Sequence, residues 1–139
     1  MDNRIGYLIK RVQAGLRTAM DGVLEAKGLT TPQYSLLSAL ELDPGISNAE
    51  LARRAFVTPQ TMIRIVENLE STGLITRQAH PTHGKVRMVT LTPRGARLVA
   101  SCHAAVAAVE ERMLRSLGAA ERAALQRLLG RCADALVDE

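Results

Sequence analysis

The sequence predicts a mainly α fold with one small β-hairpin, and three observations carry that reading. A threonine followed by proline, which joins an N-cap hydroxyl to a residue suited to the first helical turn, occurs at Thr31-Pro32, Thr58-Pro59 and Thr92-Pro93. Apolar residues recur at spacings of three and four through both ends of the chain and through 58–72. Only in LITR (74–77) and RMVTL (87–91) does the period fall to two, and the intervening QAHPTHGK holds Pro81 and Gly84, which exclude regular structure.

Composition bounds the reading before any motif does. A chain of 139 residues holds one domain with a modest core, or a small module joined to an oligomerisation element. With 47% apolar and 23% charged residues it has the balance of a soluble globular protein, and no run reaches the ~20 apolar residues of a membrane span. The N-terminal MDNRIGYLIKR lacks the apolar h-region and small-residue cleavage site of an export signal, so a cytoplasmic location and no membrane partner are expected. The net charge is +4, but residues 47–97 hold eight Lys and Arg against three Glu, a net +5. The basic excess is therefore confined to one segment, as a phosphate-bearing partner would require.

In chain order, residues 4–25 carry Ile5, Leu8, Ile9, Val12, Leu16, Met20, Val23 and Leu24 at helical spacing, and Gly28-Leu29 end this first helix. Thr31-Pro32 opens a second, with Leu36, Leu37 and Leu40 inward, stopped by Asp43-Pro44-Gly45 and placed to support the next two helices from behind. Ser47 and Glu50 have the S-x-x-E spacing of a capping box, predicting a short third helix that ends near Phe56. Thr58-Pro59 restarts the chain at once. In this fourth helix Met62, Ile65, Val66 and Leu69 are predicted to be buried, leaving Gln60, Thr61, Arg64 and Asn68 on the opposite stripe, with Gly73 closing it as the C′ residue. The two period-two strands form a wing. After Thr92-Pro93, Val99, Cys102, Val106, Val109, Met113 and Leu117 form one stripe, and beyond Gly118 a last helix carries Leu125, Leu128, Leu129, Cys132 and Leu136.

Two short capped helices followed by strand, loop and strand are the layout of a winged helix-turn-helix, occupying residues 29–93. Residues 1–28 and 94–139 offer more apolar helical surface than that small unit can cover, so they are read as one helical dimerisation region intertwined with it. Gln60, Thr61 and Arg64 are side chains that hydrogen-bond base edges and phosphates, and a helix presenting them fits the major groove of double-stranded DNA. Arg77, Lys85 and Arg87 on the wing are placed to reach phosphate or an adjacent minor groove.

The order of elements, with LTTPQYSLLSAL, ELARRAFVTPQTMIRIVENLESTGLITR and VTLTPRG in register, resembles the MarR (multiple antibiotic resistance regulator) family over essentially the whole chain. That resemblance implies a dimeric regulator, usually a repressor, that binds a pseudo-palindromic operator and is released by a small aromatic or phenolic ligand, or in some members by cysteine oxidation. Carried over residue by residue, Thr58, Gln60, Thr61 and Arg64 match the recognition-helix face. Ser47 and Asn48 match phosphate-contacting positions, and Lys85 matches a basic residue of the wing. The wing departs from the common family pattern D-P-x-D-R-R: here His80-Pro81-Thr82-His83-Gly84-Lys85 replaces both acids by histidine and the first arginine by glycine. Recognition is therefore expected to lean on the helix from Gln60 to Arg64, and Lys85 or Arg87 substitutes for the missing tip arginine without, for Lys85, its planar fork.

His80 and His83 have no Cys or carboxylate close in sequence, so no metal is expected, and His83 is read as a solvated wing residue touching phosphate. Cys102 and Cys132 both lie on apolar stripes, where cysteine is a small core residue, and nothing resembles a C-x-x-C pair. No Gly-rich phosphate loop, H-E-x-x-H or G-x-S-x-G is present, so neither catalysis nor a cofactor is expected. The family's ligand cleft between reading head and dimer helices directs attention to Tyr34, Arg11 and Arg17, a ring, a hydroxyl and two cations suited to an aromatic carboxylate. Two alternatives stay open: a regulator of this fold triggered by oxidation of Cys102 or Cys132, and a winged-helix module for protein partners or nonspecific DNA.

Overall fold

The computed structural model describes residues 3–79, 81–82 and 87–137. Its elements in chain order are α1 (Ile5–Glu25), α2 (Thr31–Leu42), α3 (Asn48–Ala55), α4 (Pro59–Ser71), β1 (Ile75–Ala79), β2 (Arg87–Leu91), α5 (Pro93–Met113) and α6 (Ala119–Ala135). The chain is mainly helical with one two-stranded antiparallel hairpin, the fold class the sequence predicts. Ile75 pairs with Leu91 and Ala79 with Arg87 at the two ends of the ladder.

The centre of the molecule is α2. Leu36, Leu37, Ala39 and Leu40 are all buried, because this short helix is packed on several sides at once, against α1, α3, α4, α5 and β2. Leu24 of α1, Met62 and Leu69 of α4, and Val99 and Cys102 of α5 complete the fully buried set around it. Truncating such a leucine to alanine costs ~2–5 kcal/mol, so α2 anchors the reading head to the long helices.

Local start signals behave as expected at α4 and α5. The Thr58 hydroxyl accepts the Thr61 amide at 3.1 Å, and the Thr92 hydroxyl accepts the Gly95 amide at 3.1 Å. At α2 the cap lies one residue earlier than the Thr31-Pro32 pattern suggests. Thr30 accepts from the Gln33 amide while the Gln33 side chain accepts from the Thr30 amide, a full capping box. Thr31 is freed to donate its hydroxyl to Asp21 at 2.6 Å, tying α2 to α1. The box foreseen at Ser47 is only half formed: Ser47 accepts from the Glu50 amide at 3.1 Å, but the Glu50 carboxylate is drawn forward to Arg53 and Arg54.

Three of the helices end in one motif. In α1, Gly28 N–H donates to Glu25 C=O and Leu29 N–H to Leu24 C=O; in α4, Gly73 and Leu74 bond back to Glu70 and Leu69 in the same way. Both glycines have φ near +80°, the left-handed geometry this Schellman closure needs. In α3 the same pair of bonds runs from Phe56 to Arg53 and from Val57 to Ala52, and the left-handed position is held by Phe56 at φ 58°.

The root of the hairpin is fixed to α5. Leu74 C=O accepts the Thr92 amide at 3.1 Å, Gly73 C=O accepts the Thr92 hydroxyl at 2.7 Å, and Arg94 donates to Thr72 C=O. Gly95 lies so close that a Cβ added there would stand 2.0 Å from the Leu74 carbonyl oxygen. At the far end of α5, the Arg122 guanidinium forks onto Glu111 at 2.7 and 2.8 Å and also donates to the Leu114 and Leu117 carbonyls, closing the turn into α6.

The apolar stripes of the two ends are incompletely covered within one chain. Ile5, Ile9 and Val12 of α1, and Leu128, Leu129 and Leu136 in and after α6, are 46–88% exposed, and α6 buries no residue. Cys132 is accordingly exposed, unlike Cys102, because only the start of the α6 stripe, at Leu125, is partly covered and the part from Leu128 onward is not. Among the described residues no helix is long and apolar enough to cross a membrane.

Candidate nucleic-acid interface

Two helices and the turn between them build this surface. Leu51 and Ala52 of α3 and Met62, Val66 and Leu69 of α4 are buried, so the two helices present their other faces outward. Asn48, at the start of α3, donates its side-chain amide to Pro59 C=O at 3.3 Å and locks the angle between the helices. Thr58 is equally occupied, since besides capping it donates its hydroxyl to the Thr61 hydroxyl at 3.0 Å. Both positions shape the interface; Asn48 keeps its second amide hydrogen and its side-chain oxygen for a partner, whereas Thr58, its hydroxyl hydrogen committed to Thr61, keeps only acceptor capacity.

Gln60 and Arg64 are different. Both are exposed, they stand one turn apart on the same face, and neither has a hydrogen-bond or ion-pair partner among the described residues. Thr61 is half-buried between them. Asn68 does not join this group: its side-chain oxygen accepts from Gln33 of α2 at 3.2 Å, which turns it toward the body of the molecule. Ser47 keeps its hydroxyl hydrogen for an acceptor, since its oxygen alone serves the cap.

Around this face lie Arg53, Arg54 and Arg77. Arg53 and Arg54, both exposed, share the part-buried Glu50, and the Arg77 Nε lies 3.2 Å from Glu70 in a pair exposed on both sides. An exposed pair such as Arg77–Glu70 is worth ~0–1 kcal/mol, so it holds its arginine only weakly. Arg77 thus leans from the hairpin back to α4. His80, His83, Gly84 and Lys85 lie outside the described residues, and of Arg87 only the backbone is described, paired with Ala79.

The residues expected at a ligand cleft occupy three separate settings. Tyr34 bonds through its hydroxyl to His103 Nδ1 at 2.6 Å, and His103 Nε2 lies 2.7 Å from Glu41. Burial pushes the Tyr34 hydroxyl above its ordinary pKa. Arg17 is paired with Asp21 at 3.1 Å. Arg11 borders a hollow of about 220 Å³ with Leu16, Val109 and Arg112 between α1 and the end of α5. A larger hollow of about 500 Å³ opens between α3, α4 and the hairpin, lined by Ser47, Asn48, Ile63, Arg77 and Met88 and by none of the three expected residues. His103 is the functional-looking residue that the sequence does not single out: its partner Tyr34 lies 69 positions away, and no local spacing announces the pair. Among the described residues no cluster of His, Cys, Asp or Glu could hold a metal ion.

A capped α3, a tight turn, a capped α4 with a free polar face, and a hairpin rooted on the next helix define a winged helix-turn-helix DNA-binding regulator. A MarR family model matches residues 27–85. The HTH-type transcriptional repressor Rv2887 of Mycobacterium tuberculosis is 40% identical over 128 residues, covering 92% of each chain. A putative transcriptional regulatory protein for the hcr operon of Thauera aromatica is 30% identical over 132 residues, covering 94% of this chain and 80% of that one. The chain belongs to the MarR family. The structure of Rv2887 with salicylic acid superposes with a TM-score of 0.80 at 39% identity, covering 94% of this chain and 97% of that chain. Rv2887 with DNA superposes at 0.78 and 37% identity, covering 96% and 100%. Membership in this family makes the protein a transcription regulator and not an enzyme.

Proposed function

We propose that the chain is a dimeric, sequence-specific DNA-binding repressor, acting in the cytoplasm on a pseudo-palindromic operator and released by a small aromatic carboxylate. The observation that carries the reading is the pair Gln60 and Arg64, exposed and without partners among the described residues at the start of a capped helix in the basic segment. In this reading Gln60, Thr61 and Arg64 discriminate bases, while Ser47, Asn48, Thr58, Arg77, His83, Lys85 and Arg87 hold the duplex through its backbone. Residues 29–93 form the reading unit. Residues 1–28 and 94–139 form the dimerisation region, whose uncovered Ile5, Ile9, Val12, Leu128 and Leu129 suit a second copy.

The ligand class rests on Rv2887, which has been solved with salicylic acid and with p-aminosalicylic acid. Arg11, Arg17 and Tyr34 are its proposed contacts. A ligand that changes the separation of the two recognition helices weakens a site whose half-sites lie about one helical turn apart.

Selection from random duplex oligonucleotides tests the function directly. A palindromic consensus with half-sites one turn apart, bound less tightly when salicylate is added, is the expected result. Recovery of no preferred sequence would instead support a nonspecific or protein-binding module.

A further inference from the structure

We propose that Phe56 is an apolar DNA contact, its ring packing on the deoxyribose wall of the groove beside the first turn of α4. The helix ends themselves argue for it. Of the three Schellman closures, two place glycine at the left-handed position, Gly28 and Gly73, where a Cβ is penalised. The third places phenylalanine there, at φ 58°. Backbone geometry therefore disfavours this residue, and packing does not favour it either, because Phe56 is 95% exposed and is the only phenylalanine in the chain. What remains is a contact made outside the chain.

The occupant follows from position and charge. A single residue, Val57, separates Phe56 from the Thr58 cap, two steps spanning at most ~7 Å, so the ring stands at the entry to the helix that bears Gln60 and Arg64. Arg53 and Arg54, on the last turn of α3, stand three and two positions before it. An aromatic flanked by cations on one side and by base-reading groups on the other matches the order phosphate, sugar, base across a groove wall. An apolar protein partner would meet the charge of a segment carrying net +5. Strained, exposed positions persist where the contact they make is used.

The inference rests on the DNA-binding reading above, and the test separates the two. Dissociation constants are measured for the full-length protein on the selected operator and on a scrambled duplex, at several salt concentrations, with thermal unfolding alongside. For Phe56→Gly the affinity for both duplexes is expected to fall by the same factor, about five- to tenfold, with an unchanged salt slope because no cation is lost. Its Tm holds or rises by up to about 3 °C as the left-handed backbone relaxes. Phe56→Tyr, which keeps the ring, stays within about twofold of wild type. Equal affinity of Phe56→Gly and wild type overturns the contact, as does a lowered Tm, which would mean that the ring packs within the protein. A loss confined to the operator overturns the assignment to sugar. Failure of the wild type to prefer any duplex strikes the DNA-binding reading itself.

Discussion

Tyr34 Oη and His103 Nδ1 are 2.6 Å apart, and this bond joins the helix at the centre of the reading head to the long helix that leaves it. With a neutral imidazole both ring nitrogens are satisfied when Tyr34 donates to Nδ1 and Nε2–H donates to Glu41, 2.7 Å away. The two rings also meet edge to face, with centroids 5.5 Å apart. Tyr34→Phe keeps the ring and strands a partly buried acceptor, so it is expected to cost about 1 kcal/mol, read as a Tm lowered by about 3 °C. An unchanged Tm would show that solvent already serves His103.

Gly95→Ala brings a Cβ to within 2.0 Å of the Leu74 carbonyl oxygen, a backbone atom that cannot rotate away. A loss of about 3 kcal/mol is expected, on the order of 10 °C in Tm. Gly22→Ala, in α1 with nothing near the added methyl, is the control and should gain about 0.5–1 kcal/mol from helix propensity. Comparable melting of the two variants would remove the claim that the hairpin root is a close contact.

Arg64→Ala should lose about 1–3 kcal/mol on the selected operator and relax preference at one base pair of each half-site. Arg64→Lys should not restore it, because an ammonium lacks the fork that pairs with two acceptors at once. Gel-shift titration on operator and point-substituted operators decides; full affinity with intact preference in the alanine variant would dismiss the assigned role.

Acid sensitivity should trace partly to Asp21. The Thr31 hydroxyl, and after it the Arg17 guanidinium, hold its carboxyl below the ordinary value of 3.8. A depressed folded-state pKa contributes stability above pH ~3.8 that is lost as pH falls through the lower folded value. Wild type should thus melt higher than Asp21→Asn near pH 5, and the two curves should converge toward pH 2.5. Parallel curves over that range would deny the carboxylate its part.

Cys102 is fully buried and burial pushes its thiol above the usual pKa, so little reactive thiolate forms near neutrality. Iodoacetamide at pH 8 should leave Cys102 unmodified in the native protein and label it fully in guanidinium, as read by peptide mass spectrometry. Rapid native labelling would revive a thiol-triggered regulator.

Much of the architecture was legible because its signals are local. Thr58-Pro59 and Thr92-Pro93 name their own helix starts, and Gly28 and Gly73 their own stops, since cap and left-handed geometry depend on a handful of adjacent residues. The exceptions arise where a distant partner competes. Thr31 yielded its cap to Thr30 because Asp21, ten positions back, takes its hydroxyl. Glu50 left half its box open because Arg53 and Arg54 offer it charge. Asn68 left the polar stripe for Gln33, and Tyr34 found His103, across separations that no periodicity encodes. At the candidate interface, residue types pointed to Gln60 and Arg64, but which polar side chains stay unengaged is a property of packing alone. Cys132 shows the converse: its apolar stripe is real in the sequence, while its cover is not within this chain.

The junction at Leu74 has a mechanical meaning. Its amide closes α4, its carbonyl receives Thr92, and Gly95 presses against the same oxygen, so recognition helix, hairpin and α5 meet with no slack. On the proposed reading, a small swing of α5 would pass through this joint to Gln60 and Arg64, as a stiff lever turns rotation at its pivot into travel at its tip. A dimer carrying two such heads would then act as a caliper whose span is reset by whatever shifts the long helices.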